Sequence, residues 1–325
     1  MRRVAPVLAL GAALAGGFAV GSLDSFFMDV FVLTCFFAAL AVAWNLMAGL
    51  TGLLSLGHSL FVGIGAYTVA WGYTQQGWAP FATWPLGIAL AVVAALAIGG
   101  LCFRSGLKGH FFAIATLAFS EMAFFLVSAT TALGRSDGII LPMAPNRELH
   151  LQFDEKWPYG LIMGGILFAV FAGSQALLRS RVGFSWRALR DNEEAAEALG
   201  VNGFAMKMLC FALSAGIAGL CGAFWASYLA FVDPRSVLGV DLSIQMLVYG
   251  IIGGMGALWG PIVGAALLVP LSVVLRGVTA VQGTEIIVYA LLLIVLALVL
   301  PQGIAGFLTA RWRGRRGVVA ARARP

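Results

Sequence analysis

Residues 180–209 read SRVGFSWRALRDNEEAAEALGVNGFAMKML, the only long polar interruption in an otherwise apolar chain. Asp191 followed three residues later by Glu194 is a capping-box pattern, in which the first side chain accepts a backbone N–H of a new helix and the second reaches back. A short helix is therefore predicted over Glu193, Glu194, Ala195, Ala196, Glu197, Ala198 and Leu199, ending at Gly200, whose missing Cβ suits a left-handed terminal residue. Two turns are marginal alone in water, so something must pack on this helix. Ala195, Ala198 and Leu199 form the i, i+3, i+4 stripe available for that burial. The rest of its surface is acidic, and the approach is basic: Arg179, Arg181, Arg187 and Arg190.

Outward from this loop the composition settles the class. Of 325 residues, 61% are hydrophobic and 10% charged, against about 25% charged in soluble proteins, so a water-soluble core is excluded. Crossing about 30 Å of hydrocarbon takes roughly 20 mainly apolar residues, and ten such stretches are present. They are Val4–Leu23, Phe26–Ala48, Ser55–Tyr73, Phe81–Phe103 and Gly109–Thr131, then Tyr159–Leu178, Met206–Val232, Val240–Met255, Leu258–Leu275 and Thr284–Leu300. The expected fold is an all-α polytopic membrane protein of about ten transmembrane helices with a short cytoplasmic helix. Spans three and eight are both short and glycine-rich, and an odd offset of five makes them cross in opposite directions. That pairing suggests two inverted five-helix halves about an axis in the membrane plane, with the pathway near their junction.

Positive loops stay cytoplasmic. With the N-terminus inside, the inner segments hold 15 of the 20 Lys and Arg residues, and the outer ones hold Arg135, Arg147, Lys156, Arg235 and Arg276. Both termini and the loop at 180–207 are thereby placed in the cytoplasm. Residues 1–310 read as one transmembrane domain and 311–325 as a basic tail, a topology signal beside anionic lipid rather than a nucleic-acid site. The first span, with Arg2 and Arg3 before an apolar run and Ala15-Gly16-Gly17 after it, also has the pattern of a secretory signal; it is read here as retained. Cys35, Cys102, Cys210 and Cys221 all fall in or at the ends of apolar spans without C-x-x-C or a spaced His, so neither disulfide nor metal is expected. No phosphate-binding motif occurs, so any nucleotide chemistry lies on another chain.

Asn192 to Gly200 resembles the E-A-A-x-x-x-G loop by which permeases of bacterial ATP-binding-cassette (ABC) importers dock on their ATPase subunits. The pattern's later I-x-L-P is absent, its place reading Cys210-Phe211-Ala212-Leu213. Three further blocks resemble the branched-chain amino acid permeases, specifically the longer of their two permease subunits. They are Asn45-Leu46-Met47-Ala48-Gly49 through Ser55-Leu56-Gly57-His58 to Tyr67, then Phe111 to Phe119, then Gly253-Gly254-Met255-Gly256-Ala257-Leu258-Trp259-Gly260-Pro261. The resemblance implies a bacterial inner-membrane importer with a second related permease, two cytoplasmic ATP-binding subunits carrying the ATP, and an extracytoplasmic substrate-binding protein. It implies leucine, isoleucine and valine as substrates, or another small amino acid, urea or an amide. It makes Arg190, Asp191, Asn192, Glu193, Glu194, Ala195, Ala196, Glu197, Ala198, Leu199 and Gly200 the ATPase-coupling loop. No cofactor on this chain and no catalytic residue is implied.

The candidate translocation path comprises Asn45, Ser55, Gly57, His58, Thr116 and Glu121. Glu121 lies mid-span, where an ionised carboxylate costs roughly 3 kcal/mol or more unless it faces a cavity or a partner. It either lines the pathway or is satisfied by a neighbour such as Thr116 or Ser120. His58 makes either a capping or inter-helix hydrogen bond or a proton site. His110 and Glu121, eleven residues apart, share a helix face. The second function class is accordingly a self-sufficient proton-coupled carrier using Glu121 and His58, in which no docking loop would be needed.

Overall fold

The computed structural model describes residues 5–143, 147, 150–278, 291 and 303–304. Twelve α-helices and one two-stranded sheet are formed in them. In chain order the first five helices are α1 (Ala5–Gly21), α2 (Ser25–Thr51), α3 (Ser59–Gln76), α4 (Pro80–Arg104) and α5 (Gly109–Ala129). After β1 (Ile139–Ile140) come α6 (Trp157–Arg179), α7 (Arg181–Asp191), α8 (Glu193–Ala198) and α9 (Gly203–Leu229). Then follow β2 (Phe231–Val232), α10 (Pro234–Leu238), α11 (Val240–Gly253) and α12 (Trp259–Val278).

The molecule is an all-α polytopic membrane protein. Among the described residues, six helical segments are long and apolar enough to cross a bilayer: α2, α4, α5, α6, α9 and the joined pair Pro234–Gly253. Two further apolar helices, Ala5–Gly21 and Trp259–Leu275, are shorter. The described residues thus show six such segments where ten were expected, and the tenth stretch, Thr284–Leu300, lies outside them but for residue 291.

The longest helices, α2 and α9, stand at the centre. From Cys35 to Thr51, α2 is buried on all sides but for Phe37, as expected of a helix apolar all round. One hairpin, α3 with α4, packs on α9, and another, α11 with α12, packs on α2, while α2 and α9 pack on each other. Lipid tails are as apolar as leucine, so close van der Waals fit and hydrogen bonds hold such helices together. A Cβ on Gly65 would lie 2.0 Å from the Gly219 carbonyl oxygen, and one on Gly222 2.0 Å from that of Val62, so α3 and α9 meet backbone to backbone.

The two ends of the bundle differ. At one end β1 pairs antiparallel with β2, Ile139 opposite Val232. There, too, Asp29 accepts a 2.5 Å bond from the Tyr228 hydroxyl and pairs with Lys156. At the other end α7 lies across the tips of α2, α6 and α9.

Candidate functional site

The polar loop folds as two helices. Its approach, expected only to be basic, is the amphipathic α7. Trp186 and Leu189 are its buried anchors, and the Trp186 indole N–H donates to the Met206 carbonyl at 2.9 Å. Its arginines brace it. Arg187 donates to the carbonyls of Gly183 and Leu178, at 3.2 and 2.5 Å. Arg190 grips Asp191 on one side, at 3.0 and 3.2 Å, and the Gly49 carbonyl of α2 on the other, at 2.9 Å.

The cap of α8 is Asn192, not Asp191. Because α7 continues through Asp191, the chain turns extended only at Asn192, whose Oδ1 accepts the Ala195 N–H at 3.0 Å. Glu194 then sits one residue too early for a capping box. The far end is as the sequence indicates: Gly200 has φ +89°, and Gly200 N–H and Val201 N–H donate to the Glu197 and Ala196 carbonyls, the two bonds of a Schellman motif. Within the chain Ala196 is the residue that packs inward, at 3% exposure, while Leu199 is 87% exposed and Ala195 and Ala198 are exposed beside it. The expected stripe therefore faces away from this chain.

Glu193 anchors α8 to the bundle. Its Oε1 lies 2.7 Å from Lys207 Nζ on α9 and 3.4 Å from Lys108 Nζ ahead of α5. Partial burial works against its charge, but the hydrogen bond and charge of Lys207, helped by Lys108, outweigh it and hold the carboxyl below the ordinary carboxylate range. The result is a rigid platform tied to α2, α5, α6 and α9, with a small apolar knob on its exposed side.

A second constellation lies deep in the bundle. The stretch from Gly52 to Gly57 folds back between α2 and α3, and hydrogen bonds pin it to the helices around it. The Trp44 indole N–H donates to the Ser55 carbonyl at 2.8 Å, and Leu56 N–H donates to Thr116 Oγ1 at 3.2 Å. A Cβ on Gly57 would sit 2.0 Å from the Thr116 carbonyl oxygen. His58 is fully buried, with Nδ1 2.8 Å from Ser55 Oγ and Nε2 2.7 Å from Ser214 Oγ, whose hydroxyl donates to the Ala43 carbonyl. One residue on, Ser59 opens α3 beside Ser243 of α11. Its N–H donates to Ser243 Oγ at 2.9 Å, and its Oγ lies 3.0 Å from Ser243 Oγ and 2.9 Å from Ser120 Oγ.

Of the six path candidates, the structure gathers Ser55, Gly57, His58 and Thr116 into this sealed knot. Asn45 belongs elsewhere, holding the loop before α12 through Ala257 carbonyl at 3.1 Å and Gly256 N–H at 3.0 Å. Glu121 is half-buried on α5, without a hydrogen bond or ion pair to a described residue; the hydroxyls of Thr116 and Ser120 turn instead to Ala113, Ser59 and Leu238. Along the helix it stands about 16 Å from His110. Sequence reading missed Ser59, Ser214 and Ser243, and gave Ser120 to Glu121 rather than to Ser59, because the true partners come from helices far away in the chain.

Residues 26–297 match the family model described as "Branched-chain amino acid transport system / permease component". The chain is 30% identical over 266 residues to the high-affinity branched-chain amino acid transport system permease protein LivM of Escherichia coli, covering 74% of this chain and 62% of that protein. It is 22% identical to LivH of the same transport system and organism, over 83% of this chain and 91% of LivH. It is 26% identical to the autoinducer 2 import system permease protein LsrC of Salmonella typhi, over 79% of this chain and 74% of LsrC. The matched stretch thus spans less than two thirds of the LivM length. No solved structure matches the chain.

Proposed function

The chain belongs to the family of branched-chain amino acid transport system permease components, and on that premise we propose that it is the membrane subunit of an ABC importer. Its cargo is leucine, isoleucine and valine or a related small amino acid or amide. Two cytoplasmic ATP-binding subunits drive it, a second related permease completes the channel, and an extracytoplasmic binding protein delivers the substrate. The observation that carries this reading is the platform. A six-residue helix is capped by Asn192, tied to the bundle by Glu193 and packed inward at Ala196, yet turns Ala195, Ala198 and Leu199 outward. Close-packed interfaces transmit small displacements, and an exposed small-residue face admits a partner's groove while the acidic rim orients it.

The carrier alternative requires a proton site at His58. That ring is sealed, with Ser55 on one nitrogen and Ser214 on the other, which argues against it.

The platform end is proposed as cytoplasmic, with both chain termini on that side and the β1–β2 end outside. Basic residues support this, since Arg179, Arg181, Arg187, Arg190 and Lys207 cluster at the platform. We also propose ten spans in two inverted halves. Three observations favour the halves. Adding five to each span number maps the α3–α4 hairpin on α9 onto the α11–α12 hairpin on α2. The starts of α3 and α11 meet at Ser59 and Ser243. From there they run apart: α3 ends where the Tyr73 hydroxyl donates to the Pro142 carbonyl beside β1, and α11 ends near Asn45 beside the platform.

The deciding experiment replaces Ala195 or Ala198 with Trp and follows copurification with the ATP-binding subunits, stimulated hydrolysis and uptake. All three should fall at least tenfold at unchanged membrane expression. Wild-type values for all three with the bulky residue in place would remove the coupling role of α8 and, with it, the physical support for the importer.

A further inference from the structure

A cavity of about 160 Å³ lies between α2, α9 and the α10–α11 bend, partly open to the outside. Its floor is apolar, formed by Phe36, Phe37, Val62, Trp225 and Leu242. Its polar lining comes from the bend: Arg235 and Ser236 on α10, Asp241 and Gln245 on α11. Arg235 and Asp241 are both exposed, and neither has an ion pair among the described residues. A guanidinium and a carboxylate thus stand at the rim of one apolar pocket, each with its hydrogen-bonding capacity open to a ligand.

We propose that this cavity is a binding site for a free L-α-amino acid with an aliphatic side chain. The chemistry matches group by group. Arg235 offers a planar fork of donors to the α-carboxylate. Asp241 accepts from the α-ammonium, Ser236 and Gln245 supply neutral hydrogen bonds, and the aromatic floor takes the side chain. Size agrees, because a dry apolar cavity of about 150 Å³ admits a benzene ring, which leaves room for a branched four-carbon side chain while the charged head stays at the open rim. The site also lies beside the meeting point of the starts of α3 and α11: Val62 is one turn past Ser59, and Leu242 precedes Ser243. As a way station for cargo the site rests on the transport reading above, whereas its binding chemistry stands independently.

The test uses the full chain, co-expressed with its partner permease and purified in lipid nanodiscs without ATPase or binding protein. Tritiated L-leucine is titrated by scintillation proximity. Saturable binding is expected, displaced by L-isoleucine and L-valine. It should not be displaced by 3-methylbutylamine, which lacks the carboxylate, or by 4-methylpentanoate, which lacks the amine. Arg235→Gln and Asp241→Asn should each weaken binding at least tenfold, and Arg235→Lys and Asp241→Glu should restore most of it. Since neither residue is ion-paired or buried, these variants should elute as wild type does in size exclusion, and loss of binding is then not misfolding. Absence of saturable leucine binding, equal competition by either single-charge analogue, or unchanged binding in both neutral variants overturns the site. Intact uptake with no binding sinks the site alone, and intact binding with no uptake sinks the transport reading alone.

Discussion

The difference between Asp191 and Asn192 shows how far single residues carry the reading. Both are good cap residues, and only the persistence of α7 through Asp191 decides which one the helix uses; no local signal separates them. Gly200 was legible because a positive φ has few substitutes, and the glycine at the end of an acidic run announces it. The inward residue of α8 was not legible, since three alanines and one leucine fit two registers equally well. The distinction is measurable. Ala196→Leu should overpack the contact under α8 and cost about 1–3 kcal/mol, whereas Ala195→Leu, on the exposed face, should change stability by no more than about 0.5 kcal/mol; thermal melts of the solubilised protein compare the two. Gly57→Ala should be worse than either, because the new Cβ meets a backbone oxygen at 2.0 Å rather than a flexible side chain, and a sharp fall in folded yield is expected. Glu193 gives a pH signature. Its folded pKa is depressed, so its contribution is present above the ordinary carboxylate pKa and is lost as pH falls through the lower, folded value. Proteolysis of the 180–207 loop should therefore accelerate on acidification below about pH 4.5, and Glu193→Gln should remove that dependence while making the loop more sensitive at neutral pH.

Among elements, long apolar helices were readable from composition, and nine of the ten expected stretches fall on described helices. What escaped were the pieces whose reason is tertiary. The helix α7 mixes arginines with apolar residues, and Trp186 and Leu189 anchor it on the bundle. The pairing of β1 with β2 joins segments some ninety residues apart through main-chain bonds that two-residue strands hardly advertise. The backs of α3 and α11 were flagged as short and glycine-rich, but the serine contact at their starts was invisible. If Ser59 and Ser243 hold those starts together, a double-mutant cycle with Ser59→Ala and Ser243→Ala should show each change costing about 1 kcal/mol and a coupling of at least about 0.5 kcal/mol. Additive losses would mean that the two helix starts stand independently.

At the scale of the whole molecule, the orientation expected from charge asymmetry and the halves proposed from span numbering both come from counting alone; which polar residues would be sealed was beyond counting, because Ser55 and Ser214 close on His58 and Thr116 closes on Leu56 only once distant helices meet. Glu121 stands outside that knot, half-buried and unpaired among the described residues. Glu121→Gln is expected to lower uptake severalfold with subunit assembly unchanged, and equal uptake at equal expression would make it a bystander. Single cysteines placed at Leu199 and Ile140 in a cysteine-free background should react with an impermeant maleimide from opposite faces of oriented vesicles. The bond from Arg190 to the Gly49 carbonyl has a consequence in time as well as in space. It makes a side chain of the platform part of the closure of the last turn of α2, so that turn cannot fray on its own schedule. Amide hydrogens there become a clock for the loop: their exchange with deuterium should quicken whenever the platform lifts and slow when a partner clamps it, reporting from inside the bundle what happens on its surface.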